Sequence, residues 1–321
     1  MASGNGAHVV HSRLRDQIPI YHLCSYSPKL TYFPPLLFGR CTLDGADLVH
    51  TTPDYARFFY RPDVPLMLTF HNYVLDHAMG AYGSPLQRLH WATDLRWLTR
   101  SAVSVADNIT AVSQYTAELV RSDLGYQGEI KVIPNGVDTN LFQPAGSVKR
   151  KVIRVLFSGN PTSRKGAQWL PDIALKLDPG IELWCTGGLR SDVTIGGSRI
   201  HYLGAVRYEK MPELYRSVDI LILPTVREGH SLAVLEAMAS GLPVVSSNCS
   251  SLPEQIDHKQ GGYLIDVGDI RGYADAINCL ASDSALRQKM GMYNRDKAEC
   301  QFTLSRMVEA YRSIFNQILL K

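Results

Sequence analysis

Two glutamates, Glu228 and Glu236, bracket a Ser-initiated apolar run within residues 219–245, DILILPTVREGHSLAVLEAMASGLPVV. The apolar run 220–223 predicts a buried strand ending at Pro224, followed by a polar loop, 225–230. A helix is predicted from Ser231, with Leu232, Leu235 and Met238 on its buried face. The first amides of a helix have no intrahelical carbonyl to bond, so those of Ser231, Leu232 and Ala233 offer a place for a phosphate. Two carboxylates beside such a place repel an anion and are better suited to gripping hydroxyl groups, as on a sugar. A solvated Glu228 and a surface-paired Glu236 would leave the same trace in the sequence.

A second station is Arg164-Lys165-Gly166, between a predicted strand at 152–158 and a predicted helix at 166–177. Two adjacent cations at the carboxyl end of a strand suit a diphosphate. A departing diphosphate would gain negative charge in a transition state, where a fixed ammonium stabilises it. A solvated basic pair is the alternative. The third is His71, closing a predicted strand at 65–70. It is placed either to meet a reacting group or to be satisfied within the core. His8, His11, His22, His50, His77 and His90 have less positional support, although His77 is close enough in sequence to share a cleft with His71. There is no Asp-x-Asp, and Asp266-Val267-Gly268-Asp269 has the wrong spacing, so no metal is expected. No Asp or Glu stands out as a covalent nucleophile.

These stations require strands alternating with helices. Strands are predicted at 20–25, 46–50, 65–71, 108–113 and 130–134, then at 152–158, 181–186, 200–203, 219–224, 243–247 and 262–266. Helices are predicted at 7–17, 85–105, 114–124, 166–177, 210–218, 231–240 and 304–320. That alternation predicts two parallel sheets covered by helices on both faces. In such sheets ligands bind beyond the carboxyl ends of the strands. The stretch 136–151, GVDTNLFQPAGSVKRK, reads as the linker. The domains are placed at 1–140 and 141–303, with a final helix, 304–321, packing back on the first.

Composition narrows the classes. The chain has 321 residues, 33 basic and 30 acidic, for a net charge of +3. Neither half carries the concentrated positive field of a nucleic-acid binder. The six cysteines (Cys24, Cys41, Cys185, Cys249, Cys279, Cys300) form no CxxC pair. That argues against a zinc ribbon and a disulfide scaffold, and reduced cytosolic thiols are expected. No apolar run approaches the roughly 18 residues of a membrane span, and residues 1–20 lack a signal-peptide core. A cytoplasmic protein is expected. The predicted helix 85–105 carries Arg88, Arg96 and Arg100 with Trp91 and Trp97, a stripe that allows weak peripheral contact with an anionic membrane.

The spacing Glu228-x7-Glu236 within 224–245 resembles the signature of the family-4 retaining glycosyltransferases, whose fold is GT-B. The likeness extends along the chain through LTFHN (68–72), ITAVS (109–113), VIPNGVDTNLF (132–142), FSGNPTSRKG (157–166) and YLGAV (202–206). It implies two Rossmann-like domains facing across a cleft, with a nucleotide-sugar, UDP- or GDP-linked, on the second. By that resemblance Glu228 holds hydroxyls of the transferred sugar, Glu236 the ribose, and the amides after Gly229 the diphosphate and sugar. Lys165 and Arg164 would clamp the diphosphate, with Asn160 standing where the family usually has Arg. His71 would face the reacting sugar. Gly6, Gly187 and Val206 join the donor-binding set, with His230 and Ser231 where the family often has an aromatic and Gly. His230 is thereby expected to alter donor-sugar preference. No metal or cofactor is implied, and the acceptor is not specified. Other classes compatible with the residues are a catalytically degenerate binding protein and a nucleotide-sugar epimerase.

The family fold opens with a strand, a Gly-rich turn and a helix. Here Met1-Ala2-Ser3-Gly4-Asn5-Gly6 supplies the turn without the strand, since Gly weakens a strand and leaves nothing to pack. No strand is therefore expected before Ala7, whether through a late start assignment or through loss.

Overall fold

A computed structural model describes residues 1–41, 43–76, 80, 82–83, 85–146, 151–188, 193, 195–197 and 199–320. His77 and residues 147–150 of the expected linker lie outside them. The chain divides into two units, Met1–Asn135 with Arg306–Lys321, and Gly136–Ser305.

The first unit holds a four-stranded parallel sheet in the order β1-β2-β3-β4: β1 (Val49–Thr51), β2 (Leu66–Phe70), β3 (Asn108–Ala111) and β4 (Ile130–Val132). All five residues of β2 are buried, Thr69 among four apolar neighbours, as a strand covered on both faces requires. Helix α1 (Gly6–Gln17) starts at Asn5, whose side chain accepts from the His8 amide, and it buries Val10, His11, Arg13 and Leu14. The predicted helix 85–105 is interrupted: α2 (Pro85–His90) and α3 (Arg96–Val103) flank a wide turn at Trp91–Leu95. Helix α4 (Gln114–Leu124) is capped by Ser113 on the Thr116 amide and stopped by Gly125 at φ +66°.

No strand among the described residues precedes Val49, and the opening forms only an isolated bridge, Ala2 to Tyr26. The strand expected at 20–25 is also absent. Ile20 is 78% exposed, and the segment is pinned by a Cys24–Cys41 disulfide and by the Met1 ammonium on the Cys24 carbonyl, 2.5 Å away. With no ladder beside it, the short apolar segment has nothing to pair with. The disulfide corrects the expectation of six reduced thiols: two loops distant in sequence bring these Cα atoms to 6.0 Å. Cys185, Cys249, Cys279 and Cys300 are free.

The second unit holds a six-stranded parallel sheet, ordered β10-β9-β8-β5-β6-β7. Its strands are β5 (Ile153–Phe157), β6 (Ile181–Gly187), β7 (Ile200–Ala205), β8 (Ile220–Leu223), β9 (Val244–Ser247) and β10 (Gly262–Ile265). Its helices are α5 (Leu170–Leu175), α6 (Met211–Arg216), α7 (Leu232–Ala239), α8 (Leu252–Gln255), α9 (Ile270–Ser282) and α10 (Ser284–Gln301). The chain runs outward from β5 through β6 and β7, then crosses back to lay β8 against the other side of β5. The loops leaving β5 and β8 therefore diverge around one crevice at the carboxyl edge, the switch point where such sheets bind ligands.

The expected boundary at 140 falls inside this unit. Val137 and Phe142 are fully buried in its core, Arg295 donates to the Phe142 carbonyl at 2.7 Å, and Val137 pairs with Thr303. The start of the presumed linker is thus part of the second core. Helix α11 (Leu304–Leu319) runs on into the first unit. Its buried Met307, Val308, Tyr311, Ile314, Phe315 and Ile318 repeat at helical spacing. Tyr311 and Phe315 lie 5.3 and 5.5 Å from the His50 ring, and Phe315 lies 5.9 Å from Tyr21. No helix among the described residues is long and apolar enough to cross a membrane. Arg96, part of the basic stripe, is taken by Asp123 at 3.0 Å, while Trp97 stays 66% exposed.

Candidate active site

The loops leaving β5 and β8 bring Lys165, Arg164 and Glu228 into direct contact. Lys165 Nζ lies 2.8 Å and an Arg164 guanidinium nitrogen 3.5 Å from the same Glu228 Oε1. Gly166 makes the approach feasible. At φ +74° it occupies the left-handed region, and a Cβ there would stand 1.8 Å from the Pro224 carbonyl oxygen. Backbone bonds then lock the loops together: the Val226 amide and Thr225 Oγ1 each donate to the Arg164 carbonyl at 3.0 Å, and Arg164 donates to the Arg227 carbonyl at 2.8 Å.

Glu228 is held by its backbone as well. Its amide donates to Ser250 Oγ (3.0 Å), and its carbonyl accepts from Ser251 Oγ (3.0 Å). Ser250 sits at φ +50°, a strained setting for a residue with a Cβ. Burial alone would raise the Glu228 carboxyl. Lys165, Arg164 and the hydrogen bonds from Lys165 and Thr225 outweigh it and hold the carboxyl below its ordinary range.

Ser231 caps α7 as predicted, its Oγ accepting from the Val234 amide. Its own amide is not free. Gln255 Oε1 accepts from it at 2.8 Å, while Gln255 Nε2 donates to the Ser231 carbonyl at 3.0 Å. Of the three amides expected to meet a phosphate, that of Ser231 is thus already bonded within the protein. Glu236, buried on the next turn, faces Tyr215, whose hydroxyl donates to the Ala233 carbonyl at 3.2 Å. Burial first and the Glu236 charge second raise the Tyr215 hydroxyl well above its ordinary value, so Tyr215 stays a neutral donor.

His230 is buried, 5% exposed, and its ring packs edge-on against Phe302 at 5.3 Å. Burial, with Lys297 adding to it, lowers its pKa to about 3. Gly229 is buried between Glu228 and His230. Asn160 follows β5, with Oδ1 so close to Gly188 that a Cβ there would fall 1.8 Å away, and Gly187 is likewise crowded by the Tyr202 hydroxyl. Val206 follows β7 at the far edge of the sheet, and no described hydrogen bond joins it to the Glu228 cluster.

Gly6 and His71 belong to the first unit. Gly6 is exposed at the start of α1. His71 follows β2, and its Nε2 lies 3.1 Å from His11 Nε2. His11 Nδ1 meets the Tyr21 hydroxyl at 2.5 Å, Tyr21 meets His50 Nδ1 at 2.9 Å, and His50 Nε2 meets Thr69 Oγ1 at 2.6 Å. Burial lowers His71 and His50 to about 3, so both rings are neutral.

Sequence reasoning missed His11, Tyr21, His50, Tyr215, Ser250, Ser251 and Gln255. Only His11 left a signal, as a polar residue on the buried face of α1. Among the described residues no group of three or more His, Cys, Asp or Glu could hold a metal ion.

Two parallel-sheet domains, with a basic and acidic cluster at the switch point of the second, define a GT-B glycosyltransferase architecture. The family model of glycosyltransferase family 4 matches residues 4–141, and that of glycosyl transferases group 1 matches residues 152–283. The chain belongs to this glycosyltransferase family. It is 34% identical over 121 residues to N-acetyl-alpha-D-glucosaminyl L-malate synthase of Bacillus anthracis, covering 38% of this chain and 31% of that protein. It is 29% identical over 249 residues to spore coat protein SA of Bacillus subtilis, covering 67% of this chain and 66% of that one. The aligned regions thus span from about a third to two thirds of these relatives. Anabaena HepE, solved in complex with UDP and glucose, superposes with a TM-score of 0.77 at 17% identity, over 97% of this chain and 96% of that one.

Proposed function

We propose that this protein is a retaining glycosyltransferase that moves a sugar from a nucleoside-diphosphate sugar to an acceptor hydroxyl. The observation that carries the reading is the Lys165–Glu228 contact at the switch point, beside the open amides of α7. Lys165 and Arg164 supply the positive charge that a departing diphosphate needs, and the Leu232 and Ala233 amides supply donors for its oxygens. Glu228, kept ionised, accepts from hydroxyls of the transferred sugar. Glu236, braced by Tyr215, accepts from the ribose. The donor is read as UDP- or GDP-linked, a reading supported by the UDP held by HepE. No covalent enzyme intermediate is needed: the leaving phosphate accepts the acceptor's proton on the face it leaves. His71 of the first domain is read as supporting a substrate hydroxyl. Neither a metal nor a resident cofactor enters this scheme, and weak membrane contact of the first domain completes the reading.

The test is incubation with a panel of UDP-, GDP- and ADP-sugars, following nucleoside diphosphate release and the anomer of the product. Release with retained configuration is expected. Binding without release would instead indicate a degenerate binding protein, an isomerised nucleotide-sugar an epimerase, and an inverted product another mechanism.

A further inference from the structure

The first domain contains a hydrogen-bonded chain that none of the motifs announced. It runs from His71 through His11, Tyr21 and His50 to Thr69 and Thr110, drawing on α1, the segment after it, β1, β2 and β3. At one end stands His71 Nδ1, which is buried and has no hydrogen-bond partner among the described residues, and the buried Tyr311 hydroxyl abuts the other end beside Thr69 and Thr110. A buried polar atom without a partner is costly, and its presence points to a group that arrives with a ligand.

Each neutral imidazole has one N–H and one lone pair, so the chain has only two self-consistent proton arrangements. In the first, His50 Nδ1–H donates to Tyr21, Tyr21 to His11 Nδ1, and His11 Nε2–H to His71 Nε2, leaving His71 Nδ1–H as an orphan donor. Thr69 then donates to His50 Nε2, and the single Thr110 proton must choose between Thr69 and the Leu68 carbonyl.

In the second arrangement every bond reverses. His71 Nε2–H donates to His11 Nε2, His11 Nδ1–H to Tyr21, Tyr21 to His50 Nδ1, and His50 Nε2–H to Thr69. Thr69 then donates to Thr110 at 2.7 Å, and Thr110 to the Leu68 carbonyl at 3.3 Å. This arrangement makes one more hydrogen bond than the first. It leaves His71 Nδ1 as a bare lone pair.

We propose that His11, Tyr21 and His50 are positioning residues that hold His71 as its Nε2–H tautomer, so that Nδ1 accepts a hydrogen bond from a substrate hydroxyl. The role of that hydroxyl rests on the glycosyltransferase reading above. The tautomer itself does not.

Two-bond 1H–15N correlation spectra of the histidine rings in the full chain test the tautomers directly. The wild-type protein should show His11 as Nδ1–H, and His50 and His71 as Nε2–H. His11 as Nε2–H would overturn the proposal before any variant is made. Tyr21→Phe touches neither nitrogen of His71, yet it removes the acceptor that favours His11 Nδ1–H. His71 should then populate both tautomers, and a single unchanged tautomer would overturn the relay. Donor turnover by Tyr21→Phe should fall about twofold, in step with the share of His71 that passes to the other tautomer. Mixed tautomers with undiminished turnover would overturn the claim that the reaction uses this lone pair. Failure of the glycosyltransferase reading would show differently, as absence of nucleoside diphosphate release from the wild-type protein with its tautomers as stated.

Discussion

Replacing Lys165 with Ala removes the nearest counter-charge of Glu228. The contact is 2.8 Å long, and the two side chains are only 16% and 11% exposed. At an effective dielectric of about 20 the gross attraction is about 6 kcal/mol. Most of that offsets the cost of taking both charges out of water. A buried charge stripped of every partner costs about 3–5 kcal/mol, but Arg164 remains 3.5 Å from the same oxygen. The expected loss is therefore that of one charge-assisted hydrogen bond, about 1.5–3 kcal/mol. At about 1.4 kcal/mol per tenfold, donor turnover should fall roughly 10- to 150-fold. The loss should appear in kcat as well as KM, because the ammonium acts most strongly on the departing diphosphate.

The pH profile gives a second reading of the same variant. In the wild type the Glu228 carboxyl is held below its usual 4.5. Its pairing thus stabilises the fold above that value and is lost as pH falls through the depressed one. Without Lys165 the carboxyl rises, so both the acid limb of the rate and acid unfolding should move to higher pH. Initial rates of nucleoside diphosphate release, read with thermal melts between pH 3 and 8, measure both. Unchanged kcat with an unmoved acid limb would refute the assignment.

Glu228→Gln should cut transfer about ten- to hundredfold with the fold intact, and Glu236→Gln should chiefly weaken binding of free nucleoside diphosphate, as calorimetry would show. Gly166→Ala combines a left-handed backbone with overlap of the Pro224 carbonyl. It should cost about 2–5 kcal/mol in denaturant unfolding. Cys24→Ser with Cys41→Ser opens a loop spanning 17 positions and should destabilise by about 3 kcal/mol under non-reducing conditions, an effect that dithiothreitol should reproduce in the wild type.

The sheet of the second domain was legible because residues 155–157 of β5 and 220–223 of β8 are continuous apolar runs, and the pair Glu228 and Lys165 because each follows such a run. The N-terminal part was less so. An extended apolar segment at 20–25 reads as a strand wherever a neighbour exists, and only the fold reveals that none does. The domain boundary was misplaced because Val137 and Phe142 look like loop residues until α10 is packed against them. The Ser231 amide seemed open because its acceptor lies 24 residues downstream, beyond any local pattern. The histidine chain was invisible for the same reason, its members coming from several separate elements.

Gln255 has a consequence of its own. Its carboxamide meets both the N–H and the C=O of Ser231, acting as a surrogate peptide unit that extends the hydrogen bonding of the 225–231 loop by one rung. Both ends of that group are required. Glu, nearly identical in shape, would still accept from the amide but would set a carboxylate oxygen against the Ser231 carbonyl. Asn has the right chemistry and is one methylene too short to keep both bonds without moving α8. Position 255 therefore tolerates almost no exchange for a reason that has nothing to do with touching substrate. Redesign of donor preference in the 225–231 loop would have to keep this remote amide in register.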